Sequence, residues 1–194
     1  LYTGADLVYD WHGSGGSIME DRFRIISKEG RKWKVQHSDG QTTYHKTKKA
    51  AKEYEHTLLV FDPFLHKHDL KLDRPLFATM YYNCLLAIVD HLKYFYNRAR
   101  PFQIAPYYDM YINRIITSSH HTASYPSGHT MYAALASNML SEKYPKYKKD
   151  FENIVSLCAE ARILQGVHFP SDNEAAIKIV NKIYPNIKKY ITEN

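Results

Sequence analysis

Residues 73–101 read DRPLFATMYYNCLLAIVDHLKYFYNRARP, and this stretch decides the fold class. Asp73 precedes the run and Pro75 opens it. That is a sound helix start, because the fixed φ of proline suits the first turn. Leu76, Met80, Cys84, Ala87 and the group Val89 to Leu92 recur at near-helical spacing. The spacing predicts one long helix that stops near Ala99, since Pro101 disfavours helical geometry at Arg100.

Working toward the C-terminus, residues 101–126 are loop-rich, with Pro101, Pro106 and Pro126. Three more helices are predicted, over about 127–143, 147–165 and 171–192. Ser171 with Glu174 three residues on has the pattern of a capping box for the last. The expected fold class is therefore mainly α, a helical bundle.

Working toward the N-terminus, residues 1–20 are poorly patterned, with a loop signal at Gly13 to Gly16. Phe23 to Ile26 alternate, Glu29-Gly30 marks a turn, Trp33 to Val35 alternate again, and Asp39-Gly40 marks a second turn. A short helix begins at Thr47 and runs toward Tyr54. The reading is an N-terminal extension over 1–56, carrying a small strand–strand–helix appendage, followed by a helical domain over 57–194.

Composition narrows the class. With 194 residues, 44% of them apolar, the chain has room for one domain with a real core. The apolar run Leu85 to Val89, like every other in the chain, falls far short of the roughly 20 residues of a membrane-spanning helix. A soluble protein with no membrane span is expected, either cytoplasmic or, if a leader has been removed, secreted or periplasmic. The net charge is +6 and the pI about 9.1, which suits an anionic partner. Arg24, Arg31, Lys32, Trp33 and Lys34 resemble a nucleic-acid surface in composition. No sequence signature of a nucleic-acid fold accompanies them, so a solvated hairpin face is expected. Cys84 and Cys158 sit in apolar helical context and read as buried free thiols. His66-Lys67-His68-Asp69 fits no standard metal spacing, and no metal or other cofactor is expected.

Three clusters carry chemistry. Lys93 and Arg100 are seven apart, which on one helix places them two turns apart on nearly one face, able to reach one anion. Tyr125-Pro126-Ser127-Gly128-His129 opens the next helix. Ser127 is a good N-cap, the free amides beyond it bind phosphate oxygens, and Gly128 lets the backbone approach closely. His129 in the first turn would face the same anion. Arg162 falls in the last turn of its helix, with Gly166 at the C-terminus and His168 just beyond. Asp172, in the first turn of the last helix, can accept a hydrogen bond from one His168 nitrogen and leave the other free as a nucleophile. Together these clusters supply three cations, a helix N-terminus and two histidines, a surround suited to a phosphate dianion.

The three clusters resemble the three-part signature of the type 2 phosphatidic acid phosphatase superfamily, which includes soluble bacterial class A acid phosphatases, lipid phosphate phosphatases and vanadium haloperoxidases. Lys93 to Pro101 is similar to its first motif, Lys, six residues, then Arg-Pro. Pro126 to His129 is similar to its second, Pro-Ser-Gly-His. Arg162, His168 and Asp172 match the third, with Ala161 where serine is usual. Residues 1–56 are outside the resemblance, and the likeness is closest to the class A enzymes around Ser124 to Thr130.

The resemblance implies a metal-independent phosphomonoesterase. His168 would attack phosphorus to form a phosphohistidine, Asp172 would orient it, and His129 would act as acid and then base. Lys93, Arg100, Arg162, Ser127 and Gly128 would hold the phosphate. The expected partner is a small-molecule phosphate ester, and a homo-oligomer is left open. Two alternatives stand beside this reading: a vanadium-dependent haloperoxidase using the same anion pocket, and a non-catalytic binding or assembly protein that keeps the pocket.

Overall fold

The computed structural model describes residues 24–37, 40–46, 58–113 and 121–194. Three strands come first: β1 (Arg24–Glu29), β2 (Lys32–His37) and β3 (Thr42–His45). They form an antiparallel sheet in the order β1-β2-β3. Glu29 pairs with Lys32 across a two-residue turn, where Gly30 takes φ +58°. A positive φ there is cheap for glycine, and it matches the strand twist. The third strand is one more than the sequence reading expected. Its residues, Thr42-Thr43-Tyr44, are β-branched or aromatic and follow a turn at Gly40, where φ is +81°. Residues 1–20 and the short helix expected from Thr47 toward Tyr54 lie outside the described residues.

One face of the sheet packs inward, with Val35, His37, Thr43 and His45 buried. Burying three polar side chains demands partners. They find them in a chain: His37 Nε2 lies 3.0 Å from Thr43 Oγ1, which lies 2.9 Å from His45 Nε2. His45 Nδ1 meets the Tyr82 hydroxyl at 2.6 Å, on the helical part of the molecule. Gln41 adds two ties to the same part, donating to Leu72 O and accepting from Arg74 N.

Seven α-helices follow among the described residues: α1 (Asp62–Lys67), α2 (Arg74–Met80), α3 (Leu86–Tyr96), α4 (Pro101–Ile104), α5 (Gly128–Lys143), α6 (Lys148–Leu164) and α7 (Pro170–Glu193). Asp73 caps α2 by accepting from Leu76 N at 2.9 Å. A π-helical turn, Tyr81–Leu85, joins α2 to α3. This turn corrects the predicted face. Phe77, Tyr81, Leu85 and Val89, four apart, are buried together with the expected Met80, while Leu76 and Cys84 are half-buried and Ala87 is exposed. Residues four apart drift by about 40° per step on an ideal helix. The wider π turn absorbs that drift, so the stripe continues to Lys93.

The second correction is the end of that helix. It closes at Tyr96, where Asn97 takes the left-handed conformation at φ +40°. Arg100 is extended, as a residue before proline should be, and it is the N-cap of α4. A 3₁₀ turn, Ala105–Tyr108, follows α4 in the stretch expected to be loop.

The three C-terminal helices fall within a residue or so of their expected bounds. Helix α5 is the centre of the bundle, buried on most of its circumference from Thr130 to Leu140. Its small residues Ala133, Ala134, Ala136 and Ser137 let α6 and α7 pack closely on it. Cys84 and Cys158 are free thiols, and burial pushes the Cys158 thiol up to about 12.

Candidate active site

The site gathers at one pole of the bundle, where α3 and α6 end and α4, α5 and α7 begin. Each approach has a local cause. The stripe on α2 and α3 ends in Lys93, whose Nζ donates to Ala123 O. Arg100 reaches the same place from the N-cap of α4, not along the face of α3. Its Nε donates to Thr122 O at 2.8 Å and its Nη1 to Val167 O at 2.8 Å.

Arg162 and His168 are set by the way α6 stops. Gly166 takes φ +70°, Gly166 N donates to Ile163 O, and Val167 N donates back to Arg162 O. This is a Schellman stop, and it needs a residue tolerant of the left-handed region. It turns the chain so that His168 faces the helix it has just left. Arg162 is fully buried, and its Nη1 donates to Gln165 Oε1.

The start of α7 supplies Asp172. Pro170 occupies the first helical position, so Phe169 is the N-cap and Asp172 stands three residues on. The Asp172 carboxylate accepts from Phe169 N at 2.8 Å. The expected pairing of Ser171 with Glu174 is therefore displaced by two residues, to Phe169 and Asp172, because proline at the first position starts the helix earlier. Asp172 is fully buried and does two things, capping α7 and contacting His168.

The orientation of the His168 ring follows from its neighbours. Arg100 Nη1, which can only donate, lies 3.3 Å from Nε2. Asp172 Oδ2, which can only accept when ionised, lies 3.3 Å from Nδ1. A proton on Nδ1, with the Nε2 lone pair toward the cations, satisfies both contacts, and a hydrogen bond with the Ser124 backbone also acts on the ring. Burial, then the charges of Arg162, Arg100 and Lys93, hold the His168 pKa well below the usual imidazole value. The ring is neutral near pH 7, which a nucleophile requires.

The second cluster lies on α5. Ser127 is its N-cap by backbone conformation, yet its hydroxyl does not cap the helix. Asn173 Nδ2 donates to Ala159 O, so Asn173 Oδ1 accepts from Thr130 Oγ1 at 2.7 Å. Thr130 Oγ1 then accepts from the Ser127 hydroxyl at 3.0 Å. Ser127 N donates to Asp172 O at 3.1 Å, which fixes the start of α5 against the start of α7. A Cβ on Gly128 would meet Val89 Cγ1 at 3.5 Å, an ordinary contact. Any need for glycine there comes from a ligand, not from the fold. His129 stands in the first turn, half-buried, with its ring tilted against Tyr132 at 6.3 Å.

Four residues of this region were not singled out from sequence: Arg98, Gln165, Thr130 and Asn173. Arg98 Nη1 donates to Asp172 Oδ1 and to Ser171 Oγ, both at 2.8 Å. Of the tyrosines along α3 and the turn before it, Tyr81 is buried, Tyr82 half-buried, and Tyr94 and Tyr96 are exposed. Tyr96 stacks edge-on to Tyr125 at 4.7 Å. His121 is exposed, and His120 is outside the described residues. Among the described residues no group of three or more His, Cys, Asp or Glu is placed to hold a metal.

Lys93, Arg100 and Arg162 repel one another. Burial, and then Arg100, lower Lys93 to about 7, against an offset from Asp172. Burial lowers both Arg100 and Arg162 to about 10, so both stay charged at neutral pH. A dianion relieves this repulsion. Lys93 carries its charge below about pH 7 and loses it above, so anion affinity should fall as pH rises from 6 to 8. Sulfate, whose charge is constant over that range, is a suitable probe by calorimetry. Its Kd should rise by at most about tenfold per pH unit, the limit for one linked proton. Lys93→Arg should remove the rise, and a rise that persists in that variant assigns the titration to another group.

A model of the PAP2 superfamily matches residues 75–179, more than half of the chain and the whole span from α2 into α7. Among solved structures, the chain is similar to a transmembrane PAP2-type phosphatidylglycerolphosphate phosphatase from Bacillus subtilis. The identity is 19%, the match covers 74% of this chain and 71% of that one, and the TM-score is 0.47. No curated protein matches. Among the described residues no helix is long and apolar enough to cross a membrane.

Proposed function

Because this chain belongs to the PAP2 superfamily, we propose that it is a phosphatase that carries the phosphoryl group on His168. The observation behind the reading is the wiring of that ring, with Nδ1–H toward Asp172 and the Nε2 lone pair toward three cations. A phosphate monoester is the substrate class that fits best. It is a dianion with three nonbridging oxygens, and Lys93, Arg100, Arg162 and the amides at the start of α5 can meet them.

The proposed reaction has two steps. Nε2 attacks phosphorus, the bond to the ester oxygen breaks, and His129 as imidazolium gives that oxygen a proton. The His168 ring gains positive charge, and Asp172 Oδ2 opposes it. Water then attacks phosphorus with neutral His129 taking its proton, the N–P bond breaks, and phosphate leaves with His168 restored. The fixed cations stabilise the transferring group, so the reading requires no metal. Rapid quenching with labelled substrate should trap an acid-labile, base-stable phosphoenzyme, and EDTA should leave turnover unchanged. Turnover with no such species in the quench, while hydrolysis proceeds, would sink the covalent mechanism.

The role given to His129 depends on the leaving group. For an alkyl phosphate, which needs the proton, His129→Ala should lower kcat by about 10²–10⁴-fold. The p-nitrophenolate ion leaves without one, so the variant should release a burst of phenolate before slow turnover of the phosphoenzyme. An equal loss on both esters, without a burst, would assign His129 another task.

A further inference from the structure

We propose that Arg98 is a positioning residue that holds Asp172, and through it the His168 ring, in the attacking arrangement; this rests on the reading that His168 attacks phosphorus. Its side chain joins the three motif segments. Nη1 donates to Asp172 Oδ1 and Ser171 Oγ at the start of α7. Its guanidinium lies 4.3 Å over the Phe169 ring and 6.0 Å from the Tyr125 ring. Its own carbonyl accepts from Ser124 N at 2.8 Å, which ties the segment leading to Ser127 and His129.

The carboxylate it serves is fully buried, and a buried charge needs a paired charge. Asp172 Oδ2 is occupied by Phe169 N and His168 Nδ1, leaving Oδ1 for Arg98. With both oxygens held, the carboxylate plane is set, and the acceptor facing Nδ1 keeps the proton there. Arg98 stands behind Asp172, on the side of the His168 ring away from Nε2, so it is placed to act through the carboxylate and not on the phosphate.

Its position has a cause in the fold. Had α3 continued to Ala99, Arg98 would sit on a helix surface. The left-handed turn at Asn97 redirects the chain, and the rings of Phe169 and Tyr125 then hold the guanidinium on its stem.

Arg98→Met keeps the stem and removes the charge. Its kcat should fall by about 10–100-fold, the range seen when a group orienting a functional histidine is removed, with KM changed less than about twofold. Around His168 the charged groups are Lys93, Arg100 and Arg162, with Asp172 opposing them. Removing Arg98 leaves the Asp172 charge less opposed, which favours protonated His168. The acid limb of kcat/KM should therefore move to higher pH, and Arg98→Lys should restore it in part. In an Asp172→Asn background the Arg98→Met loss should shrink to less than about threefold, because the group it acts through is already changed.

The side chain is 38% exposed, so added guanidinium should reach the gap in Arg98→Ala and recover part of kcat. Nitrogen NMR of the ring should show Nδ1–H in the wild type and a growing Nε2–H population in Arg98→Met, without reference to turnover. Equal losses from Arg98→Met in both backgrounds, or a loss confined to KM, would overturn the positioning role and leave the phosphohistidine reading standing. Failure to trap a phosphoenzyme in the wild type would remove that reading itself. An unchanged ring tautomer in Arg98→Met would overturn the inference even then.

Discussion

His168→Ala is expected to lower kcat by about 10⁴-fold or more, the scale of loss when a covalent nucleophile is deleted. No other group in the described pocket is ready to replace it. The Ser127 hydroxyl donates to Thr130, whose own hydroxyl donates to Asn173, so its proton is held by a neutral chain and not by a base. Cys158 is a thiol at neutral pH, its pKa pushed up to about 12 by burial. Phosphate binding should survive, because His168 is neutral and contributes no charge to the dianion. The variant should therefore bind sulfate within a few-fold of wild type while failing to form the labelled phosphoenzyme. That combination separates loss of the nucleophile from collapse of the pocket. A variant that hydrolyses p-nitrophenyl phosphate within tenfold of wild type sinks the assignment.

Much of the bundle is legible in the sequence because its signals are local. Pro75 and Pro170 open helices, Gly166 closes one, and apolar spacing marks the rest. What escaped depends on packing or on a change of helical period. On either side of the π turn at Tyr81–Leu85, Phe77 and Leu85 are buried one place on from the expected Leu76 and Cys84, while Met80 and Val89 are buried as expected. No propensity marks that shift, which is decided by which stripe meets α5 and the sheet. Strand β3 was within reach, since Thr42 to His45 carry the same β-branched and aromatic character as its neighbours.

The site shows the same division. The residues expected to meet a phosphate were chosen by motif spacing, and the structure brings Lys93, Arg100, Arg162, His168 and Asp172 to one pole. Arg100 arrives there by a different route from the helical one expected. Seven residues on a helix and a tight turn followed by a helix start can deliver a side chain to one place. The sequence does not distinguish them, because Asn97 reads as an ordinary helical residue until its φ is known. Arg98, Gln165, Thr130 and Asn173 escaped for a stronger reason. Each acts on a residue already in the site, across the turns at Asn97 and Gly166 or between helices. The Arg98–Asp172 and Thr130–Asn173 contacts exist only after the helices pack, whereas Gln165 meets Arg162 three residues away, a local contact that no motif spacing marks.

Asp172→Asn is expected to be the second most damaging change, lowering kcat by about 10³–10⁴-fold, the loss seen where an aspartate behind a reactive histidine becomes an amide. The donors around the carboxylate give the reason. Phe169 N and His168 Nδ1 point at Oδ2, and Arg98 Nη1 points at Oδ1. A carboxylate accepts from all three, whereas an amide has one accepting end. If its NH₂ turns toward His168, it faces Phe169 N–H as a second donor and requires Nδ1 to accept. The ring proton then moves to Nε2, and the attacking lone pair is gone. If its NH₂ turns toward Arg98, two donors meet there, the guanidinium is displaced, and the positive ring formed on attack has no negative charge behind it. Either orientation removes something the chemistry needs, while volume and phosphate contacts stay nearly constant. KM and sulfate affinity should hardly move. Asp172→Glu keeps the charge but carries it one methylene further from the backbone, out of reach of Phe169 N, so it should fall between wild type and Asp172→Asn. A variant with kcat within tenfold of wild type would show that the charge of Asp172 is not needed for attack. It would leave Asp172 as a helix cap alone, a role whose loss thermal melting would register in full while turnover stayed intact.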